Sequence, residues 1–204
     1  MRVALTFDTE HPSRPAVQGV EERILDVLAA AGLRATFFFQ GRWVRAYPER
    51  ARRIAGEGHL VGNHSHHHAP MNSLTDDGLR MDVRSAEEEI RAATGLDAKP
   101  WFRCPFGAGM DDPRVLGLLT ELGYRHVGWD VDPEDWDERR SAGDVVTAVL
   151  EGVTSRENAI VLLHGWPTAT GDALPRIVEG LAEARAAVVD VAELLGQETV
   201  ARNA

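Results

Sequence analysis

Residues 58–68 read Gly58-His59-Leu60-Val61-Gly62-Asn63-His64-Ser65-His66-His67-His68, a short apolar segment between glycines that runs straight into four histidines. Gly58–Val61 suits a buried strand, and a strand that delivers polar side chains at its C-terminal end is how α/β enzymes assemble their sites. Imidazole is the commonest protein ligand for metals at neutral pH. His64 and His68, separated by three residues, can put two ring nitrogens on one ion. A solvated polar loop or an incidental metal-sticky tract would share this composition. The internal position, between a strand and a helix, argues against a tag.

Outward from this stretch, apolar runs alternate with helical patterns. Residues 2–8 form a strand ending at Asp8-Thr9-Glu10-His11-Pro12, where proline breaks the element. Val17–Ala31 is helical, with Val20, Ile24, Val27 and Leu28 on one face. Ala35–Phe39 is a strand, and Arg42–Ala55 is amphipathic with Pro48 opening a helix. Ser73-Leu74-Thr75-Asp76 resembles a capping box for a helix reaching Thr94, with Leu79, Val83, Ala86 and Ile90 inward and Gly95 closing it. A strand at Trp101–Cys104, a helix at Pro113–Leu122 and a strand at Arg125–Asp130 follow. Then come a helix at Ala142–Gly152, a strand at Ala159–Leu163, a helix at Pro175–Arg185 and a strand at Ala187–Val191. Near-continuous apolar strands alternating with helices imply a parallel sheet covered on both faces. Asp8, Glu10, His64, His68, Arg103, Asp132, Asp135 and His164 all fall at or just after strand ends, so a parallel arrangement predicts that they converge.

Size and composition suit one soluble domain spanning residues 1–204. The formal charge of −10 disfavours nucleic acid and anionic membrane as partners. The start, Met1-Arg2-Val3-Ala4-Leu5-Thr6-Phe7-Asp8, carries no secretory apolar region, and no run has transmembrane length. A single cysteine, Cys104, permits no internal disulfide, and cytoplasmic residence is the expectation.

Five motifs in order carry a resemblance: Thr6-Phe7-Asp8-Thr9-Glu10, Asn63-His64-Ser65-His66-His67-His68, Arg103-Cys104-Pro105-Phe106-Gly107, Asp132-Pro133-Glu134-Asp135-Trp136 and Leu162-Leu163-His164-Gly165. On these, from about residue 2 to residue 195, the chain resembles the polysaccharide deacetylases of carbohydrate esterase family 4, the NodB homology domain. The resemblance implies a distorted (β/α)7 barrel, an α/β fold with its active site at the C-terminal ends of parallel strands. It also implies metal-dependent hydrolysis of an N-acetyl or related acyl group, usually on an amino sugar. Carried over residue by residue, it makes His64 and His68 metal ligands, Asp8 the general base and Arg103 its partner. His164 becomes the general acid, oriented by Asp135. The Phe106 amide would help bind the oxyanion, Leu162 would line the acyl pocket, and Trp136 would form part of a groove wall.

The first motif departs from the usual pair of adjacent aspartates, because Thr9 stands in the second place. Asp8 and Glu10 face the same side of a regular strand, so Glu10 is assigned as third ligand, with His11 or a water molecule as the alternatives. Gly165-Trp166 replaces the acid common after the histidine of the last motif, which puts Trp166 at the pocket mouth. Histidine and carboxylate donors suit Zn2+, with Co2+, Ni2+ or Mn2+ as alternatives. The expected partner is a small-molecule or oligosaccharide substrate. Hydrolysis of a non-sugar amide or formyl group is a competing function, and a catalytically silent sugar- or metal-binding protein is another.

Blander roles are assigned elsewhere. His66 and His67 are read as solvent-facing, His59 and His126 as structural, and Cys104 as a small buried residue. Trp101 and Trp129 are read as core tryptophans, Asp132 as a hydrogen-bond partner or turn residue, and Glu87-Glu88-Glu89 as a solvated helix face. Arg139-Arg140 is too short for a polymer site.

Overall fold

A computed structural model describes residues 1–10 and 19–196. His11, the alternative third ligand, lies outside the described residues, as does the start of the helix expected from Val17. The chain forms two compact units that are interleaved in sequence.

One unit comprises Met1–Phe7, Ala16–Thr36 and Trp129–Ala204. Strand β1 (Arg2–Thr9) begins in it and pairs in parallel with β7 (Ala187–Val188), Arg2 opposite Ala187. In this unit it also neighbours β6 (Asn158–His164), and the Thr6 hydroxyl donates to the Val161 carbonyl at 2.6 Å. Helices α1 (Val20–Ala30), α6 (Ala142–Thr154) and α7 (Thr168–Glu183) bury Ile24, Leu28, Val145, Val149, Leu174 and Ile177, and short α8 (Val191–Leu194) follows β7. α6 and α7 pack closely enough that a Cβ at Gly180 would lie 2.6 Å from the Leu150 side chain. Helix α1 buries Leu25 where Val27 was expected. Helix α7 starts seven residues before Pro175, which sits inside it. Proline there deletes the usual bond back to Gly171, a cost that made it read as a helix start.

The other unit comprises Asp8–Pro15 and Phe37–Gly128. Its strands lie in the order β5 (Arg125–His126), β4 (Trp101–Phe102), β3 (Leu60–Asn63), β2 (Thr36–Phe39) and the end of β1. β3–β4 and β4–β5 are parallel, with Asn63 opposite Phe102 and Phe102 opposite His126. Gly62 in β3 is required by packing, since a Cβ there would lie 2.6 Å from the Phe38 ring. The helices are α2 (Gly41–Ala46), α3 (Pro48–Gly56, opened by its proline), α4 (Asp76–Thr94) and α5 (Pro113–Glu121). α4 lies against α2 and α3, burying Leu79, Val83, Ala86 and Ile90 as its spacing predicts. Gly95 ends it at φ 73°. Its N-cap is Thr75, which accepts from the Gly78 amide, and not Ser73, whose hydroxyl donates to the Pro70 carbonyl.

The β5 strand stops at His126 instead of Asp130. The carbonyls of Val127 and Gly128 accept from the Arg103 guanidinium, so backbone expected in the ladder serves a side chain. Trp129 is consequently half-buried outside any strand, not a core strand residue. Among the described residues no helix is long and apolar enough to cross a membrane.

Candidate metal and catalytic site

β1 ends at Thr9, and its alternation sends Asp8 and Glu10 the same way; both are buried. β3 ends at Asn63 and hands the chain to a tight loop in which Ser65 (φ 63°) and His68 (φ 60°) take left-handed backbone. For non-glycine residues this costs on the order of 1 kcal/mol or more each. The turn brings His68 back over His64, with the two Nε2 atoms 3.1 Å apart. Glu10 Oε2 contacts His68 Nε2 directly and lies 3.7 Å from His64 Nε2. Glu10, His64 and His68 each offer one donor atom within 4.8 Å of the others and could hold a metal ion. With bonds of about 2.0–2.1 Å, a tetrahedral ion places its donors roughly 3.3 Å apart, so the donor spacing fits.

The tautomer fits as well. His64 Nδ1 lies 2.9 Å from the Arg103 carbonyl, which can only accept, so Nδ1 carries the hydrogen and Nε2 turns its lone pair to the cluster. Burial works to lower the His64 pKa, but the Asp8 charge and contact with Glu10 outweigh it and carry the pKa up. At His68 burial prevails over the Glu10 contact, and the pKa falls. The Asp8 and Glu10 carboxylates thus favour positive charge at the cluster, which suits a cation.

Asp8 is shared between two tasks. Its Oδ1 accepts from Arg103 Nη1 at 2.9 Å, while Oδ2 faces His64 Nε2 at 3.4 Å. Arg103 is fully buried, stacks on Phe38 at 4.2 Å and donates also to Val127 and Gly128. Phe106, at φ 56° in the turn after β4, exposes most of its ring and sets it edge-on to His68 at 4.4 Å.

The second cluster belongs to the other unit. At the end of β6, His164 Nδ1 lies 2.7 Å from Asp135 Oδ1, and its backbone amide donates to Asp135 Oδ2 at 2.8 Å. The buried Thr170 hydroxyl donates to the same oxygen at 2.5 Å. Trp166 lies with its ring centroid 6.0 Å from that of His164; Leu162 is buried in β6, and Trp136 is half-exposed. Asp132 is a turn residue whose Oδ1 accepts from the Glu134 amide.

Three residues with a structural part in these clusters carried no role in the sequence reading. Asn63 accepts from the Ser65 amide at 2.8 Å and donates to the Val83 carbonyl and Tyr124 hydroxyl. Asp82 accepts from the backbone of the histidine loop. Its signal was a carboxylate three residues after Leu79 and four before Ala86, on the apolar face of α4. Thr170 gave no signal. His66 is buried, not solvent-facing: its ring lies so close to Gly41 that a Cβ there would be 2.5 Å from Nδ1. His67 is exposed as expected, though its ring reaches Asp82. Glu87 is not a solvated face residue, since its half-buried carboxylate accepts from Arg91, Lys99 and Tyr124.

Cys104 is buried, which pushes its thiol up to about 12 and leaves it inert. Its amide donates to His126 Nδ1 at 3.4 Å. Burial and then the Arg103 charge push His126 down to about 4, opposed by Asp111, with lesser contributions from His64 downward and Asp8 upward. The unfolded chain, with histidine near 6.5, therefore binds the proton first. The His126 contribution is present above pH ~6.5 and is lost as pH falls toward 4. His126→Asn keeps an acceptor for the Cys104 amide and should flatten that limb of the stability curve, read by urea unfolding of metal-free protein. An unchanged limb would assign the acid sensitivity elsewhere.

Over residues 1–127 the sequence matches the profile of the family described as polysaccharide deacetylase. The chain belongs to that family. This polysaccharide deacetylase family member is 38% identical over 162 residues to a chitooligosaccharide deacetylase of Rhizobium leguminosarum bv. trifolii, covering 79% of this chain and 70% of that protein. It is 30% identical over 179 residues to the peptidoglycan-N-acetylmuramic acid deacetylase PdaA of Bacillus subtilis (strain 168), covering 88% of this chain but 65% of that one. The solved structure of BA3943 from Bacillus anthracis, described as a pseudoenzyme of carbohydrate esterase family 4, is 29% identical with a TM-score of 0.85, covering 96% of this chain and 66% of that one. The (β/α)7 fold expected for this polysaccharide deacetylase family member is the fold observed.

Proposed function

We propose that residues 1–204 act as one metal-dependent deacetylase domain that hydrolyses the N-acetyl group of an amino sugar in an oligosaccharide. The observation that carries this reading is the division of Asp8: one oxygen is held by Arg103, and the other faces the donor cluster of Glu10, His64 and His68. The Glu/His/His donor set favours Zn2+. A divalent cation held there would polarise the acyl oxygen and lower the pKa of a bound water toward neutrality.

In this reading Asp8 Oδ2 takes a proton from the attacking water. His164 delivers a proton to the amine nitrogen as the C–N bond breaks, because an amine anion leaves poorly. Asp135 fixes the Nδ1 edge of that ring, and Thr170 fixes Asp135. The Phe106 amide is assigned to the acyl oxygen, and Leu162, Trp136 and Trp166 to the substrate walls. Water and the amide are consumed, and acetate and the free amine are released. The relatives named for chitooligosaccharide and peptidoglycan support an N-acetylated sugar substrate.

The test is acetate release from N-acetylglucosamine oligomers by tag-free protein, before and after chelation and on return of Zn2+ or Co2+. Release that disappears with the metal and returns with it is expected. Silence of metal-loaded protein toward both sugar oligomers and simple N-acyl amines would leave a binding protein. Release from the amines alone would move the substrate away from sugars.

A further inference from the structure

The loop that carries His64 and His68 is held from outside by one carboxylate. Asp82, on the inward face of α4, is buried. Its Oδ2 accepts from the His66 amide at 3.0 Å, and its Oδ1 accepts from the His67 amide at 3.0 Å. Oδ1 also meets His67 Nδ1 at 2.7 Å. Two consecutive loop amides thus converge on one acid, with the left-handed residues Ser65 and His68 on either side. Other bonds to the loop include Ser65 Oγ accepting from the His68 amide, Asn63 Oδ1 accepting from the Ser65 amide, and the Gly41 and Arg42 amides donating to the Ser65 and His66 carbonyls.

We propose that Asp82 is a positioning residue for the metal donors: by gathering the His66 and His67 amides it holds the left-handed turn that returns His68 Nε2 to His64 Nε2. This rests on the metal reading of Glu10, His64 and His68. The physical reason is the cost of leaving the buried His66 amide, and the part-buried His67 amide beside it, without an acceptor. Without the carboxylate the loop must open until water reaches those amides, and His68 travels with it. Asparagine cannot replace the aspartate, because its oxygen serves one amide while its NH2 group confronts the other.

The experiment uses the full, tag-free chain. Co2+ is titrated into wild type, Asp82→Asn and Asp82→Ala, followed by visible absorption and by competition with a chelator. Far-UV circular dichroism of the metal-free proteins monitors folding. Support is a folded variant whose Kd for Co2+ is weakened about 10–100-fold, with a changed absorption envelope, as expected when groups that orient ligands are lost. Unchanged affinity and spectrum in both variants would overturn the proposal. If neither variant folds, hydrogen exchange in wild type decides: slow exchange at His66 and His67 supports the clamp, and exchange at unprotected loop rates removes it. Wild type that binds no Co2+ while those amides stay protected would sink the metal reading and leave the clamp standing.

Discussion

Asp8→Asn should reduce acetate release by about 10²–10⁴-fold, the usual contribution of a positioned base, while one equivalent of metal stays bound. The substitution is nearly isosteric. Its oxygen can still accept from Arg103 Nη1, so that contact keeps an acceptor. What disappears is the acceptor on the side facing His64 Nε2, where an NH2 group can neither take up a proton nor carry charge. The measurements are kcat on the N-acetylglucosamine oligomer and metal content by mass spectrometry. Loss of metal together with activity would make Asp8 a ligand and reopen the role of Glu10. Full activity would place the base elsewhere.

Arg103→Met should lower the free energy of unfolding by about 3–5 kcal/mol, the range for breaking a buried ion pair by removing one partner. The methionine fills much of the space and packs against Phe38, so the cost is chiefly electrostatic. Asp8 loses its ion-pair partner in a buried pocket already shared with Glu10, and the Val127 and Gly128 carbonyls lose their side-chain donor. In a chain of this size each kcal/mol moves the midpoint by roughly 2–4 °C, so a fall on the order of 10 °C is expected in a thermal melt. The urea midpoint of the metal-free protein checks the same quantity. A loss below about 1 kcal/mol would mean that the Arg103–Asp8 pair adds little to the stability of the fold. The Arg103 carbonyl survives the substitution, so His64 should keep its tautomer.

Most of the cluster of donor side chains was legible because reactive side chains stand where apolar runs end. Glu10 could be read from the family resemblance together with alternation: two residues beyond Asp8, it faces the same cluster. His64 and His68 could be read from their spacing, although that spacing mimics a helical turn and the structure uses a left-handed loop. Periodicity carries no information about which backbone groups a side chain will capture. For that reason the early end of β5, the half-buried Trp129 and the burial of His66 were missed. Asp82 was visible only as an acid on an apolar stripe, and its meaning depended on which loop the stripe would meet. Pro175 misled because its local preference for a first turn was overridden by packing along α7.

The interleaving of the two units fixes an order of events during synthesis. All of one unit, Asp8–Pro15 and Phe37–Gly128, is made before Trp129, whereas the other unit needs the residues from Trp129 onward as well as Met1–Phe7 and Ala16–Thr36. Glu10, His64, His68, Asp8 and Arg103 have all left the ribosome before β6 and His164 are translated. At about 5–20 residues per second, the sixty-one positions separating Arg103 from His164 take several seconds. For that interval the nascent protein owns every donor assigned to the ion and lacks the acid assigned to the leaving group. On the proposed function, the metal donors would therefore be complete before the hydrolytic set is.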